Sequence, residues 1–323
     1  MKHLFIVNPR SGGKSHDPQM TKRAIDRVMD KRADDYEVYF TKMPMDACRK
    51  INEEKQSCDD LRVYACGGDG TLNECVNGAA ESENVAVTQF PCGTGNDFLR
   101  IFGEESKLFN DIDRLLDGEI HKIDTIKCND RYGVNICSVG IDARVGTDVH
   151  EYTKFPLNIR GPFSYVVSLA VNVFKGITSQ MRVKYDGVDY DGKVTLLCAC
   201  NGRYYGGGFN PVPDAVLDDG IMDVLLVKTV PGPLFVPLLL KYATGRYKEV
   251  AKYAAHSELQ RLEISADETF VVNVDGEALY TDKVIFELIP KSLNLITPAN
   301  MIFWNKNEET KRKRELERVN AGN

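Results

Sequence analysis

Leu61-Arg62-Val63-Tyr64-Ala65-Cys66-Gly67-Gly68-Asp69-Gly70-Thr71 is the stretch on which the reading of the fold turns. A short apolar run, Leu61–Cys66, ends directly in a glycine-rich turn, and Leu72–Ala80 follows with helical character. An apolar run of that length bounded by glycine reads as a strand, so the segment is strand, tight turn and helix. The same unit recurs on both sides. Leu4–Asn8 is an apolar strand, and Asp17–Arg32 is a polar segment with Met20, Ala24 and Val28 at helical spacing. Tyr36–Thr41 alternates as a second strand, Met45–Lys55 is a second helix, and Val85–Phe90 is a fourth strand entering Pro91-Cys92-Gly93-Thr94-Gly95-Asn96-Asp97. Repeated strand–helix–strand units predict a parallel sheet with helices on both faces.

Beyond about residue 124 the pattern changes. Ile123–Cys128, Arg131–Val139, Gln180–Tyr185, Lys193–Cys200, Met222–Lys228, Leu259–Ser265, Phe270–Val274 and Lys283–Leu288 read as strands. Turn dipeptides such as Asn129-Asp130, Asp186-Gly187 and Asp275-Gly276 separate them. The prediction is an antiparallel β domain, a sandwich, interrupted by helices over Gly161–Val173 and about Phe235–Ala243. The fold class is therefore α/β plus all-β. Residues 1–124 form the parallel-sheet domain, with 293–323 returning to it, and 125–292 form the sandwich. The tail from Asn305 is highly charged. Glu308 with Arg312 and Glu309 with Lys313 lie at i,i+4, the spacing of a solvated helix.

A length of 323 residues suits about two domains, and 43% hydrophobic residues supply two cores. The formal net charge of −6 argues against a nucleic-acid partner, which calls for a basic excess. Met1-Lys2-His3 is followed by only four strongly apolar residues, too few for a signal segment, and no run approaches the ~20 residues that span a bilayer. Nine scattered cysteines without a CxxC pair point to free thiols in a reducing cytosol.

Three glycine-bearing loops each follow a predicted strand: Asn8-Pro9-Arg10-Ser11-Gly12-Gly13, Gly67 to Thr71, and Gly93 to Asp97. A parallel sheet gathers all three at its carboxyl edge, where open α/β sheets bind ligands. Glycine admits close approach of the backbone to a phosphate, and helix N-termini aim N–H groups at it. A nucleoside triphosphate site is the expectation, although Gly70 and Gly95 singly would pass as plain turn glycines. Gly12-Gly13-Lys14-Ser15 looks like the end of a Walker A loop, but Asn8-Pro9 stands where its first glycine belongs. GxGxxG is absent from the first turn, and the HRD and DFG elements of protein kinases are absent too. The five histidines show no ligand spacing.

Taken together, Asn8-Pro9-Arg10-Ser11-Gly12, Gly67-Gly68-Asp69-Gly70-Thr71 and Pro91-Cys92-Gly93-Thr94-Gly95-Asn96-Asp97-Phe98 resemble the diacylglycerol kinase catalytic domain shared by bacterial lipid kinases, sphingosine kinases and ceramide kinases. The likeness continues through Gly140-Ile141-Asp142-Ala143, Gly161 to Tyr165, Asn201-Gly202, Asp218-Asp219-Gly220 and Asp275-Gly276-Glu277. GGDGT alone occurs also in NAD kinases and phosphofructokinases, whereas GTGND is more specific to lipid kinases. The resemblance implies a kinase acting on a lipid hydroxyl, diacylglycerol first, with phosphatidylglycerol, a sphingoid base or an undecaprenol as alternatives. A NAD kinase or a non-catalytic nucleotide or lipid sensor is further off. It implies ATP bound by Asn8, Pro9, Arg10, Ser11, Gly12, Gly13, Thr41, Gly67, Gly68, Asp69, Gly70, Thr71, Leu72, Asn73 and Thr94. Asp69, Asp97 and Asp124 become a carboxylate network holding Mg²⁺, and Glu277 the acceptor of the hydroxyl proton. The active site is expected in a cleft between the two domains. Asp219, with the carbonyls of Val216 and Ile221, resembles a second, structural Mg²⁺ site in the β domain. Plainer readings stand beside these: Asp124 as a strand-end cap, Asp219 as a turn residue, Glu277 as a solvated hairpin residue. The implied protein is cytoplasmic and peripheral at the inner face of the membrane, and a homodimer is compatible with it; Lys14, Lys22, Arg23 and Arg100, near the predicted carboxyl edge of the sheet, are the expected surface contacts.

Overall fold

The computed structural model of the chain describes residues 1–12, 17–93, 95–141, 143–144 and 176–321. The expected helix over Gly161–Val173 lies outside these residues, as do Gly13, Lys14 and Thr94. The chain divides into two compact units. The first comprises Met1–Thr125, Val216–Asp219 and Pro290–Asn323; the second comprises Ile126–Ala215 and Gly220–Ile289.

The first unit alternates β1 (Lys2–Val7), α1 (Pro18–Met29), β2 (Asp35–Phe40), α2 (Asp46–Glu54), β3 (Leu61–Gly67), α3 (Asp69–Ala79) and β4 (Val85–Pro91). β1 pairs in parallel with β2 and β3, and β3 with β4. Leu4, Phe5, Ile6 and Val7 are all buried. A strand covered on both faces needs no polar alternation, which is why β1 is apolar throughout. Asp17 caps α1 by accepting the Gln19 amide at 2.9 Å, ahead of Pro18 in the first turn. α3 starts three residues before the expected Leu72, so Asp69, Gly70 and Thr71 form its first turn. A 3₁₀ segment, Phe98–Asn110, and α4 (Ile112–Leu116) follow β4. They bury Phe98, Leu99, Ile101, Phe102, Phe109 and Leu115.

The second unit is built on β5 (Glu119–Cys128), which starts in the first unit. β6 (Arg131–Gly133), β7 (Ile136–Gly140), β8 (Ser179–Tyr185), β9 (Val188–Cys200), β10 (Met222–Lys228), α5 (Gly232–Ala243), β11 (Ala254–Leu259), β12 (Arg261–Val274) and β13 (Glu277–Thr297) follow. Apart from the end of β13, these strands pair antiparallel. β9 and β12 each pair with β8 along one half and with β7 along the other, so the ladder closes around an interior. Val139, Val183, Leu197, Val272 and Phe286 fill it. A second cluster, including Leu196, Leu225, Phe235 and Tyr242, lies under α5.

Several expected boundaries shift. Arg131–Val139 is two strands, interrupted at Val134 and Asn135. Leu259–Ser265 and Phe270–Val274 belong largely to the single long β12, whose register breaks between Ser265 and Phe270. Lys283–Leu288 is the middle of β13, which continues into the first unit and pairs in parallel with β4 through Asn294 and Leu295. α6 (Phe303–Ala321) is less solvated than its charge pattern implies, since Asn307 and Arg314 are buried. Its ion pairs include Lys311 with Glu308 and Lys313 with Glu317 at 3.9 Å.

Candidate active site

In a parallel sheet, register decides which loops meet. Val7 is level with Phe40 and with Cys66, and Gly67 is level with Pro91. The loops after β1, β3 and β4, and Thr41 after β2, therefore leave one edge. Val7 O accepts the Thr41 amide at 3.0 Å, and Gly67 O accepts the amides of Cys92 and Gly93 at 3.0 and 3.2 Å. Asn8 joins the loops laterally: its Nδ2 donates to Thr71 Oγ1 at 3.1 Å, and its Oδ1 accepts the Arg10 amide at 3.0 Å. Ser11 N donates to Asn8 O at 3.1 Å. Pro9 and Arg10 are exposed, and Ser11 and Gly12 are half-buried.

Two glycines set the spacing. A Cβ on Gly93 would stand 2.4 Å from Gly68 Cα, so two backbones touch where any side chain would part them. A Cβ on Gly95 would stand 2.9 Å from Asp69 Oδ2. Asn96 holds the loop after β4 in shape at φ 50°, accepting from Gln89 Nε2 at 3.1 Å and donating to Gly93 O at 3.0 Å.

α3 opens at this edge without a side-chain cap; Gly68 is its N-cap. The first-turn N–H groups and the helix dipole make that end receptive to an anion. Asp69 Oδ1 accepts the Phe98 amide at 3.3 Å. Burial pushes the Asp69 carboxyl above the usual carboxylate range; the Asp97 charge adds to this, while N–H groups of Asp97 and Phe98 pull the other way. Asp97 is itself buried, and its Oδ1 accepts from Arg100 Nε at 2.8 Å. Two carboxylates thus face one region at the N-terminus of α3. Leu72 and Asn73 follow in the same helix. Both are buried, because a helix starting at Asp69 turns those positions inward.

Asp124 is fully buried, and its Oδ1 accepts the Lys291 amide at 2.7 Å, where Lys291 adopts φ 51°. The structure brings Asp69 and Asp97 together and gives Asp124 a bond to the bend in β13. Asp219 belongs to the first unit, not to the β domain. Its Oδ2 lies 3.6 Å from Arg314 Nη1 and 3.4 Å from Arg318 Nη2, both on α6. Val216 is buried beside it in sequence, while Ile221 falls in the second unit. Among the described residues, no group of three or more His, Cys, Asp or Glu side chains is disposed to enclose a metal ion. Mg²⁺ commonly uses one or two carboxylates and completes its shell with water and phosphate oxygens, which suits Asp69 and Asp97.

Glu277 lies in the second unit, exposed, as the first residue of β13 after the Asp275-Gly276 turn. Asp275, which the sequence marks only as a turn residue, fixes that turn. Its Oδ2 accepts the Val134 amide at 2.7 Å, and its Oδ1 accepts those of Asn135 at 3.0 Å and Ile136 at 2.9 Å. Asp275 N returns a bond to Ile136 O at 3.1 Å. Two of these donors, Val134 and Asn135, are the residues of the break between β6 and β7, and the third opens β7. The only sequence signal was an Asp-Gly turn beside an acid.

The first unit is thus a parallel sheet with an anion-receptive helix end and paired aspartates, and the second is a closed antiparallel unit. The chain belongs to the diacylglycerol kinase catalytic-domain family of lipid kinases: residues 2–128 match the diacylglycerol kinase catalytic domain, and residues 135–297 match the YegS C-terminal NAD kinase beta sandwich-like domain. It is 30% identical to a "Probable lipid kinase YegS-like" of Shewanella frigidimarina, over 74% of this chain and 77% of that one. A solved structure titled "A putative diacylglycerol kinase from Bacillus anthracis str. Sterne" superposes with a TM-score of 0.72 at 25% identity, covering 93% of this chain and 98% of the other. No helix among the described residues is long and apolar enough to cross a membrane.

Proposed function

We propose that this kinase transfers the γ-phosphoryl group of ATP to the free hydroxyl of diacylglycerol, giving phosphatidic acid. The observation that carries the proposal is the contact of Gly68 with Gly93 beneath the uncapped start of α3. It leaves backbone N–H groups, rather than side chains, to receive a polyphosphate. Charge accumulates on the transferred group, so positioning and cationic clamping dominate its transfer. Asp69 and Asp97 are assigned to hold Mg²⁺, which when bound would neutralise charge on the phosphates. Asn8 and Ser11 keep the first loop folded against Thr71. Glu277, exposed and held by the Asp275 turn, is assigned the proton of the acceptor hydroxyl, a contribution of typically ~10²–10⁴-fold.

The name of the Shewanella relative specifies a lipid without specifying diacylglycerol, which supports keeping other lipid alcohols as a second reading. The test is transfer of labelled phosphate from ATP in mixed micelles containing diacylglycerol, phosphatidylglycerol, a sphingoid base or undecaprenol, with NAD as a soluble control. Labelled phosphatidic acid that requires Mg²⁺ is expected. Label in another lipid moves the acceptor assignment, and NADP formation without labelled lipid overturns the reading.

A further inference from the structure

α5, GPLFVPLLLKYA, carries one charged residue in twelve, Lys241. A helix apolar on every side is normally covered on every side, in a core or a membrane. α5 is covered on one side only. Phe235 and Tyr242 are buried, and Leu238 and Leu239 pack beside them on the second core cluster. Pro233, Val236, Pro237 and Leu240 recur at i, i+3, i+4 and i+7, which is one helix face, and all four are exposed. Val236 and Leu240 are 58% and 59% exposed, and Leu234 beside them is 41% exposed.

The charge around this face is one-sided. Between residues 228 and 252 stand Lys228, Lys241, Arg246, Lys248 and Lys252 against a single acid, Glu249, in a chain whose net charge is −6. All of these cations but Lys241 are exposed. Glu249 is taken up by Lys241 at 3.1 Å and Arg246 at 4.0 Å. By contrast, two of the cations that the sequence suggested as membrane contacts are engaged: Arg100 by Asp97 and Lys22 by Asp26 at 2.6 Å.

We propose that the outer face of α5 docks the protein on an anionic lipid bilayer. The apolar side chains enter the boundary between headgroups and acyl chains, and the cations beside the helix meet anionic headgroups. A bilayer surface offers both halves of this patch what they lack, a shallow apolar layer bordered by fixed negative charge. The inference rests on the reading that the phosphate acceptor is a lipid.

The test is co-sedimentation of the full chain with vesicles of phosphatidylcholine alone or mixed with phosphatidylglycerol. Wild type should bind the mixed vesicles and lose binding as salt rises, because the attraction between exposed charges is screened. Val236→Glu with Leu240→Glu should bind at least about tenfold more weakly. Arg246→Glu with Lys248→Glu should lose at least about fivefold for each reversed charge, on the mixed vesicles only. A direct readout is Leu240→Trp, whose fluorescence should be quenched by brominated acyl chains beyond any quenching of the single native Trp304. This variant decides the matter if the double glutamate variant fails to melt like wild type. Absence of wild-type binding, wild-type binding by a folded glutamate variant, or an unquenched Leu240→Trp overturns the proposal. So does a change in oligomeric state without a change in vesicle binding, which would make the occupant a second copy of the chain. Activity separates the two readings. Vesicle binding that depends on α5 with no lipid labelled sinks the kinase assignment and leaves docking standing. Labelled lipid with binding indifferent to α5 sinks docking alone.

Discussion

Asp69 carries two demands on one carboxylate. A cation-binding role needs it ionised, while burial opposes ionisation and lifts its pKa. In the free protein a raised carboxyl pKa costs stability: between the unfolded and folded values the folded state holds the extra proton, so stability falls as pH rises through that window and stays low above it. Asp69→Asn should therefore raise the melting temperature at pH 7 without Mg²⁺ or ATP, by an amount that shrinks toward pH 4. The same variant should lose at least about 100-fold in turnover, comparable with removing one strong electrostatic contact to a transition state. Melting curves at several pH values and the transfer assay check both halves; a variant less stable than wild type at pH 7 would refute the first. Asp275 is the opposite case, a carboxylate saturated by three backbone amides. Asp275→Ala strands those donors and should cost about 3 kcal/mol in urea unfolding. Asp275→Asn should keep part of that stability and lower kcat while leaving the KM for ATP unchanged, because the hairpin it holds carries Glu277 and none of the phosphate loops. Asp69 was legible in the sequence because glycines flank it. Asp275 was not, because its partners lie about 140 residues away.

Among the elements, the parallel strands were legible because short apolar runs ending in glycine have few other readings. What failed was anything whose cause lay elsewhere in the chain. Leu259–Ser265 and Phe270–Val274 looked like two strands because exposed polar residues separate them, but continuous pairing with β13 on either side of a register break makes them one. α6 looked solvated because its charges lie at i,i+4, yet its anchors are two aspartates about 90 residues earlier. Asn307 and Lys311 reach Asp218 at 2.7 and 2.6 Å, and Arg314 and Arg318 flank Asp219. Removing one member of a buried pair leaves the other charged and uncompensated. Asp219→Ala should thus destabilise the protein by about 3–5 kcal/mol in denaturant unfolding, with Arg314 left buried. With guanidinium groups beside Asp219, the rise in melting temperature on adding Mg²⁺ should be equal in wild type and variant. A rise confined to wild type would instead make Asp219 an ion ligand.

At the scale of the whole molecule, the β-rich change of pattern near residue 124 gave the division into two units, and the return of the tail was legible too. Val216–Asp219 was placed in the wrong unit, since four residues of loop carry no pattern of their own. The first unit is discontinuous, and this has energetic weight: Asn294 Nδ2 donates to the carbonyls of Ser82, Glu83 and Val85, and Leu293, Leu295 and Ile296 are buried. A fragment of residues 1–125 should accordingly fail to fold alone. Circular dichroism without a cooperative thermal transition, and poor dispersion of amide resonances, are expected; a sharp two-state melt would contradict this. The same discontinuity dictates an order of events on the ribosome. At about 5–20 residues per second, roughly 10–30 s separate the emergence of residue 125 from that of the β13 segment that covers β4. During that interval the β4 edge is a bare, apolar template for mispairing. The part of the chain translated first is the part completed last, so its yield in a cell should depend on chaperone occupancy during synthesis more than on the stability of the finished protein.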